Sequence, residues 1–365
     1  MYVRLVNLTD DDQVVSEGSL SLNHAISEGS EDYYFLLRDD IHFAAVNDNQ
    51  AVDTGELVGA EDVVFSLNRA KDPKSVPDHR TFSLHENMES ISIVNDVSEL
   101  DGKTADGKTI REALEAGVDQ EITQLVDDKT KVKNDSGVYQ VVKVTTVNPF
   151  PQVLNYLAHQ SAGIVSQKQV ESINTYDVES FDVNTDVPYG DQRTVTEGGS
   201  YNNHLYASGP YILTVKNDYE AQFVKNPAYM PGTENEPKVS EIQVKFIQDA
   251  DSALSAIRNG EIHILNGVPE TKYDLVNDDE KLALQQNESN GVSYLAFNMK
   301  DREVSESAAL RKAILYSVNQ EEFISFYQGN KMKAVSTVSP LVKTDLEVSA
   351  DSEKAKEFLN EYLEQ

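Results

Sequence analysis

Cysteine is absent from this sequence of 365 residues. Without it the chain can form neither a disulfide bond nor a thiolate metal site, and a cysteine nucleophile is excluded. A protein exported without disulfide bonds is compatible with this composition. Hydrophobic residues make up 39% of the chain, including 17 Tyr and 12 Phe. Together with the length, this content is sufficient for two or three domains with sizeable cores.

Basic residues are scarce. The chain has 31 Lys and Arg against 62 Asp and Glu, a formal net charge of -31. Such a surface repels phosphate backbones and anionic lipid headgroups, so nucleic-acid binding is excluded. Acidic runs such as Asp10–Asp12 and Asp278–Glu280 are typical of solvated loops. We therefore interpret the charge as an aid to solubility or growth in salt, with attraction of cationic ligands as the alternative.

Long apolar runs are also missing. No stretch of eighteen apolar residues occurs, and the sequence predicts no membrane-spanning segment. The opening residues Met1–Leu8 form too short an apolar stretch for a signal peptide, and the residues after Leu8 are too polar to extend it. Taken alone, these two observations favour the cytosol.

What the sequence does contain is a strand, a charged turn and a helix near its start. The apolar run Tyr33–Leu37 predicts a buried strand, and Arg38–Asp40 interrupts it with turn residues. Glu61 and Asp62 then open a helix predicted over Ala60–Lys71, where acidic residues favour the positive end of the helix. The segment contains no catalytic constellation and is interpreted as a packing unit.

The rest of the chain alternates further strands and helices. Strands are predicted over Val3–Asn7, Ile91–Val94, Val138–Val147, Gly209–Val215 after its opening turn, Phe223–Tyr229 before its closing loop, a largely buried strand at Ile242–Ile247, Glu261–Leu265 and Val292–Asn298. Helices are predicted over Ile110–Ala116, Val153–His159, from a cap at Asp251 to Asn259 and Gly260, Ser305–Val318, and from a cap at Asn319 to Tyr327. These are α/β building blocks.

Several short motifs occur in one order. They are Ala60–Arg69 (AEDVVFSLNR), Ser208–Tyr211 (SGPY), Lys225–Tyr229 (KNPAY), Ser255–Ile262 (SAIRNGEI), Leu310–Asn319 (LRKAILYSVN) and Ser352–Leu359 (SEKAKEFL). In sequence, order and spacing they resemble the extracellular solute-binding proteins of the dipeptide/oligopeptide class, which feed ABC importers. Two departures concern turns: Asp40 replaces a usual glycine, and the predicted loop Ala44–Leu57 is longer and more acidic than usual.

The resemblance implies an α/β, mixed α+β fold of the periplasmic-binding-protein type, with two lobes that close like a Venus flytrap. Residues 1–163 correspond to a small, β-rich accessory domain, 164–272 to part of the first large lobe, and 273–365 to the beginning of an incomplete second lobe. The chain is accordingly interpreted as a fragment. The resemblance also reverses the cytosolic expectation: the full-length protein is expected in the periplasm or on the outer face of the cell membrane, held there by a lipid anchor.

The resemblance places candidate ligand-binding residues in two regions. Main-chain hydrogen bonds hold an extended peptide without demanding a particular sequence, so an edge strand should line the cleft. Gly291, Val292, Ser293 and Tyr294 correspond to that strand, with a core aromatic as the alternative for Tyr294.

Two histidines are further candidates from the same resemblance. His159 corresponds to a histidine that faces the cleft in some oligopeptide binders, and an exposed histidine at a helix end is its alternative interpretation. His85 is a second candidate, from the accessory domain. The carboxylate that anchors a peptide amino terminus in the family would lie beyond Gln365.

A competing signal is the segment Gly102–Thr109, which satisfies the phosphate-loop pattern G-x-x-x-x-G-K-T. Asp106 and its acidic neighbours would crowd a polyphosphate with negative charge. We interpret the segment instead as two Asp-Gly-Lys-Thr turns, with Thr109 and Glu112 forming a capping box for the next helix. A nucleotide-binding enzyme remains the alternative from another class.

Other chemistry finds little support. The seven histidines lie at positions 24, 42, 79, 85, 159, 204 and 263, and none is paired with an acidic neighbour in a zinc pattern. No nucleophile elbow is present, and acidic residues are too abundant for a carboxylate pair to stand out. The sequence therefore predicts no enzyme, no resident metal and no cofactor.

We expect the full-length protein to be a monomeric peptide receptor that delivers its ligand to a membrane permease and an ATPase subunit. Nickel or an oligosaccharide is the alternative ligand within the same family, and an adhesion or signalling module that has lost transport is a further possibility. Because the second lobe is expected to be incomplete, this chain alone is not expected to bind peptides tightly.

Overall fold

The computed structural model describes residues 1–75, 79–173, 179–180, 206–342 and 349–364. They form two compact units, Met1–Phe246 and Ile247–Gln365. The division into residues 1–163, 164–272 and 273–365 stays a prediction. Among the described helices, none combines the length and apolar character needed to cross a bilayer.

The first unit combines short sheets, all antiparallel except the parallel pair β8 and β9, with four α-helices in its described part. Its strands are β1 (Asn7–Leu8), β2 (Val14–Val15), β3 (Ser21–Ile26), β4 (Asp32–Leu37), β5 (His42–Asn47), β6 (Gln50–Leu57), β7 (Met88–Val94), β8 (Gln124–Leu125), β9 (Val138–Tyr139), β10 (Val141–Thr146), β11 (Tyr206–Ala207), β12 (Tyr211–Lys216), β13 (Glu220–Lys225) and β14 (Glu241–Lys245). The helices are α1 (Ala60–Lys71), α2 (Ile110–Leu114), α3 (Val153–Leu157) and α4 (Gln167–Ile173).

A four-stranded sheet in the order β3-β4-β10-β7 forms the centre of this unit. Successive side chains of a strand point to opposite faces, so Tyr33 and Phe35 join one hydrophobic core while Tyr34 and Leu36 join another. Helix α1 contributes Val63 and Leu67 to the first core, and α2 covers the second. Because both faces are covered, β4 is apolar and buried from Tyr33 to Leu37, as predicted. The predicted helix over Ala60–Lys71 is confirmed as well.

Two predictions near the start of the chain are wrong. The predicted strand Val3–Asn7 is reduced to Asn7 in β1, because its backbone bonds to separate segments: the Val3 N–H donates to Ser208 Oγ, and the Val3 carbonyl accepts from Ile164 N. The predicted loop Ala44–Leu57 is instead the β5–β6 hairpin. Its turn, Asp48 and Asn49, has positive φ at both residues, as a two-residue hairpin turn of type I′ requires.

A second sheet in the order β12-β13-β14 lies later in the chain. The predicted strand at Ile242 is confirmed, yet its predicted burial is wrong: Ile242 is 38% and Val244 is 40% exposed. Only β13 pairs with β14 among the described residues, so β14 is the outer strand of this sheet. Apolar alternation reports a preference for burial, and the amount of burial depends on what covers the strand.

The described part of the second unit is helical where it has regular structure. Its described helices are α5 (Ala250–Arg258), α6 (Tyr273–Asn277), α7 (Glu303–Glu306), α8 (Ala308–Ser317), α9 (Gln320–Phe326) and α10 (Ser352–Leu363). Asp249 rather than the predicted Asp251 caps α5, since its carboxylate accepts the Ser252 N–H at 2.8 Å. The predicted cap at Asn319 is confirmed. Tyr316 stacks on Phe358 at a ring separation of 5.8 Å and joins α8 to α10.

The predicted strands Glu261–Leu265 and Val292–Asn298 are wrong for this structure, because neither segment joins a backbone ladder with another described residue. Both are solvent-facing: Ile264 is 86% and Leu295 is 72% exposed. A β-branched or aromatic segment becomes a strand only when a neighbouring strand takes up its backbone hydrogen bonds.

Candidate functional site

Two of the candidate histidines meet at one serine in the first unit. His85 follows the short 3₁₀ turn Phe82–Leu84, and His159 caps a second such turn, Gln160–Ala162. Ser161 Oγ lies 2.8 Å from His85 Nε2 and 2.7 Å from His159 Nδ1. Seventy-six positions separate His85 from Ser161. The fold therefore assembles a His–Ser–His cluster that no local motif announces.

The two imidazoles of this cluster differ in their surroundings. His85 is 1% exposed, and desolvation, with smaller contributions from His159 and His79, lowers its pKa to about 4. His85 is therefore neutral near pH 7. His159 is exposed, as its alternative interpretation as a helix-end histidine expects. It is accordingly the member of the cluster that a solute can reach from solvent.

The other candidates lie in the second unit. Gly291, Val292, Ser293 and Tyr294 line a cavity of about 2180 Å³ formed by residues of that unit. Tyr294 is 66% exposed, so its alternative interpretation as a core aromatic is wrong. A Cβ at Gly291 would meet only Ser289 Oγ within 4 Å, which leaves open space beside this backbone.

The backbone of this segment is available for binding. In the described part of the chain, no hydrogen bond joins the amide groups of Val292, Ser293 or Tyr294 to another residue. The cavity exceeds the volume of about 300–1,000 Å³ that is common for single small ligands. Its walls also include apolar and aromatic side chains, among them Ile264, Phe323 and Tyr327. An elongated ligand with polar groups along its length would suit these properties.

Helix α1, which contains the motif Ala60–Arg69, has a structural role that sequence reasoning missed. Asp62 accepts the Gly59 N–H at 3.0 Å, the Gln167 N–H at 2.9 Å and the Lys129 ammonium at 2.7 Å. Glu56 Oε1 lies 3.0 Å from the same ammonium. Burial raises the pKa of Asp62 against the opposing effect of Lys129. Asp62 thus joins α1 to the loop at Lys129 and to the start of α4.

The phosphate-loop pattern forms no phosphate cradle. The Thr104 N–H donates to the Lys108 carbonyl at 3.0 Å, and the Gly107 N–H donates to the Thr104 carbonyl at 2.9 Å. The Thr104 hydroxyl donates to Asp106, whose carboxylate occupies the turn. Thr109 and Glu112 form the expected capping box of α2. Two of the backbone amides that could face a phosphate, those of Thr104 and Gly107, are therefore already used within the loop.

The described residues contain no group of three His, Asp or Glu arranged to hold a metal ion. His204 lies outside the described residues. Neither Ser161 nor Lys129 was identified from the sequence. For Ser161 the available signal was its position two residues after His159, whereas nothing local distinguishes Lys129 from the other lysines.

Comparisons with known proteins place this geometry in a class. The "ABC transporter-associated periplasmic binding protein DppA" of Helicobacter pylori, in complex with the peptide STSA, matches 99% of this chain and 60% of its own with a TM-score of 0.68 and 18% identity. NikZ of Campylobacter jejuni, in complex with Ni(L-His), matches 99% and 57% with a TM-score of 0.66 and 18% identity. The fold is that of the periplasmic binding proteins, as the resemblance implied.

The family is established by sequence. Residues 18–363 match the model of the bacterial extracellular solute-binding proteins, family 5, and the chain belongs to this family. The family consists of binding proteins rather than enzymes. A curated relative, the glutathione-binding protein GsiB of Shigella flexneri, is 22% identical over 226 residues, or 60% of this chain and 39% of that protein. The chain thus spans well under half the length of this relative.

Proposed function

We propose that this chain is the main part of the solute receptor of an ABC importer and that its ligand is a peptide. The observation that carries the proposal is the free backbone of Val292, Ser293 and Tyr294 beside a cavity of about 2180 Å³. An extended peptide can add main-chain hydrogen bonds to such a segment, while a roomy cavity accepts varied side chains.

The residues proposed to contact ligand are those of this segment, Gly291, Val292, Ser293 and Tyr294, together with His159 and, behind it, His85. Peptide or dipeptide binding is supported by the names of relatives in the family, which include a DppA bound to a peptide. In the full-length protein we propose that the ligand favours a closed arrangement of two lobes through contacts made only in that state. The accessory domain and lobes would follow residues 1–163, 164–272 and 273–365.

The partners and location are proposed on the same basis. A receptor of this family would present its ligand to a permease and an ATPase subunit, and it would work as a monomer outside the cytoplasm, with a lipid anchor in the full-length protein. The family description as extracellular supports the location. Co-precipitation of the permease with the full-length protein in the presence of ligand, and loss of that association without ligand, is the expected result.

The ligand is tested by mass spectrometry of small molecules released from the purified full-length protein. Peptides are expected, and recovery of only sugars or nickel complexes would overturn the peptide assignment. Titration calorimetry with the recovered peptides then compares Tyr294→Ala with Tyr219→Ala, a tyrosine of the first unit that is 70% exposed. We expect about tenfold weaker binding for Tyr294→Ala only, a change of about 1.4 kcal/mol. Equal affinity for both variants would remove Tyr294 from the site.

A further inference from the structure

The hydrogen bonds at Ser161 determine the proton positions on both histidines of the cluster. The Ser161 backbone N–H lies 3.2 Å from His159 Nδ1. A backbone amide can only donate, so Nδ1 of the neutral His159 imidazole must be the nitrogen without a proton. The remaining nitrogen of His159, Nε2, therefore carries the hydrogen.

The Ser161 hydroxyl extends the same reasoning to His85. Its oxygen lies 2.7 Å from His159 Nδ1, and since Nδ1 has no proton, the hydroxyl must supply the one that this contact needs. The hydroxyl has a single proton, so the 2.8 Å contact with His85 Nε2 must be donated by His85. His85 is then also the Nε2–H tautomer, with a bare Nδ1.

The environment of His85 agrees with this assignment. His85 Nδ1 is buried and has no hydrogen-bond partner among the described residues. A buried N–H without an acceptor is rarer in proteins than an under-satisfied acceptor, which favours a bare nitrogen at this position. The histidine itself is only 1% exposed, and it remains neutral because desolvation disfavours its charged form.

We propose that Ser161 is a positioning residue of the ligand site, which holds His159 in the tautomer that presents an N–H donor at its exposed edge. This edge selects an acceptor atom, and the chemical class that fits is a carbonyl or carboxylate oxygen of a peptide. The same tautomer opposes coordination of a metal ion through Nε2, because a ligating imidazole nitrogen carries no proton. The contact of His159 with ligand rests on the proposed function, whereas the assignment of the tautomers does not.

The tautomers are measured on the chain without ligand by long-range ¹H–¹⁵N NMR correlation of the imidazole rings, assigned with His85→Gln and His159→Gln. Both rings are expected to show a protonated Nε2 and a bare Nδ1. In Ser161→Ala we expect His85 to lose its single tautomer, and Ser161→Thr, which restores the hydroxyl, should recover it. Ser136→Ala, whose hydroxyl binds the exposed Asp135 next to it, is the matched control and should change neither ring.

A neutral His159 with its proton on Nδ1 in the unmodified chain would overturn the proposal. This measurement does not depend on whether any variant folds. Identical histidine signals in Ser161→Ala would overturn it as well. The contact with ligand is tested with the full-length protein and its recovered peptides: we expect the His159 Nε2 signal to move on binding and His159→Ala to bind about tenfold more weakly. Peptide binding that leaves this signal unmoved would overturn only the contact between His159 and the ligand. Absence of any peptide binding would overturn the proposed function and leave the tautomers standing.

Discussion

The ammonium of Lys129 lies 2.7 Å from Oδ2 of Asp62, a side chain that is only 1% exposed, although 67 positions separate the two residues. Lys129 is itself mostly buried, with 15% of its side chain exposed, and it also contacts Glu56 and Glu61. One cation thus neutralises part of a group of three carboxylates. Removing it would leave buried negative charge without a partner.

We therefore expect Lys129→Met to lower the free energy of unfolding by about 3–5 kcal/mol, the cost typical of breaking a buried ion pair on one side. Urea denaturation followed by circular dichroism measures it. The control is Lys131→Met, whose side chain is 67% exposed and pairs with Asp128, and which should change stability by less than about 1 kcal/mol. Equal effects of the two substitutions would contradict a buried network at Lys129.

His85 predicts a pH dependence of stability. Burial lowers its pKa from 6.5 to about 4, so between these values the unfolded chain binds a proton that the folded chain does not. Stability should therefore rise with pH from about 4 to 6.5, and this contribution is fully present above 6.5. In His85→Gln the contribution disappears, and we expect its melting temperature to depend less steeply on pH across that window.

Differential scanning calorimetry at several pH values across this window measures the difference. His263→Gln, which replaces an exposed histidine, is the matched control and should run parallel to the unmodified chain. Parallel curves for His85→Gln as well would show that His85 titrates alike in the folded and unfolded states.

Asn226 connects the family motif KNPAY to the interior of the first unit. It is 0% exposed, its amide donates to the Gly209 carbonyl at 2.8 Å, and its side-chain oxygen accepts the Ala228 N–H at 2.8 Å. Asn226→Asp keeps the acceptor and replaces the donor with an oxygen facing a carbonyl. We expect a loss of about 3 kcal/mol, since a buried group is left unsatisfied beside a new charge.

Asn217→Asp is the control for this substitution. Asn217 uses its side-chain oxygen to accept the N–H groups of Tyr219 and Glu220, and aspartate retains that acceptor. Stability measured by urea denaturation should change little. If Asn226→Asp loses no more stability than Asn217→Asp, the hydrogen bond from Asn226 to the Gly209 carbonyl contributes nothing to the stability of the fold.

The closed turn at residues 102–109 predicts that no nucleotide binds there. Calorimetric titration with ATP or GTP and Mg²⁺ should give no saturable heat, and Lys108→Ala should behave as the unmodified chain. Lys108 already pairs with Asp106 at 3.3 Å. Saturable binding that Lys108→Ala abolishes would establish the nucleotide alternative instead.

Local patterns predicted the parts of the fold that depend on neighbours in sequence. The buried strand at Tyr33–Leu37, helix α1 and the capping box at Thr109 follow from periodicity and capping residues alone. The hairpin of β5 and β6, where we predicted a loop, could have been predicted in the same way, because Asp48 and Asn49 are residues that tolerate positive φ.

Features that depend on distant residues could not be predicted in this way. Whether Val292–Asn298 becomes a strand depends on a pairing partner, and apolar character alone suggested one. The contacts of Ser161 with His85 and of Lys129 with Asp62 bridge 76 and 67 positions. Those separations are closed by packing of the first unit, so a single sequence offers no periodicity that reports them.

The self-closed turn at Gly102–Thr109 also bears on how genomes are searched. A pattern scan for nucleotide sites would select this chain, since all letters of the motif are present. What separates it from a true phosphate loop is the use of its amide hydrogens, which Thr104 and Gly107 donate to the loop's own carbonyls. A stricter search could give a lower score to sequences with an aspartate between the two motif glycines, as at Asp106. Such a filter would remove false assignments of ATPase activity among receptors of this kind.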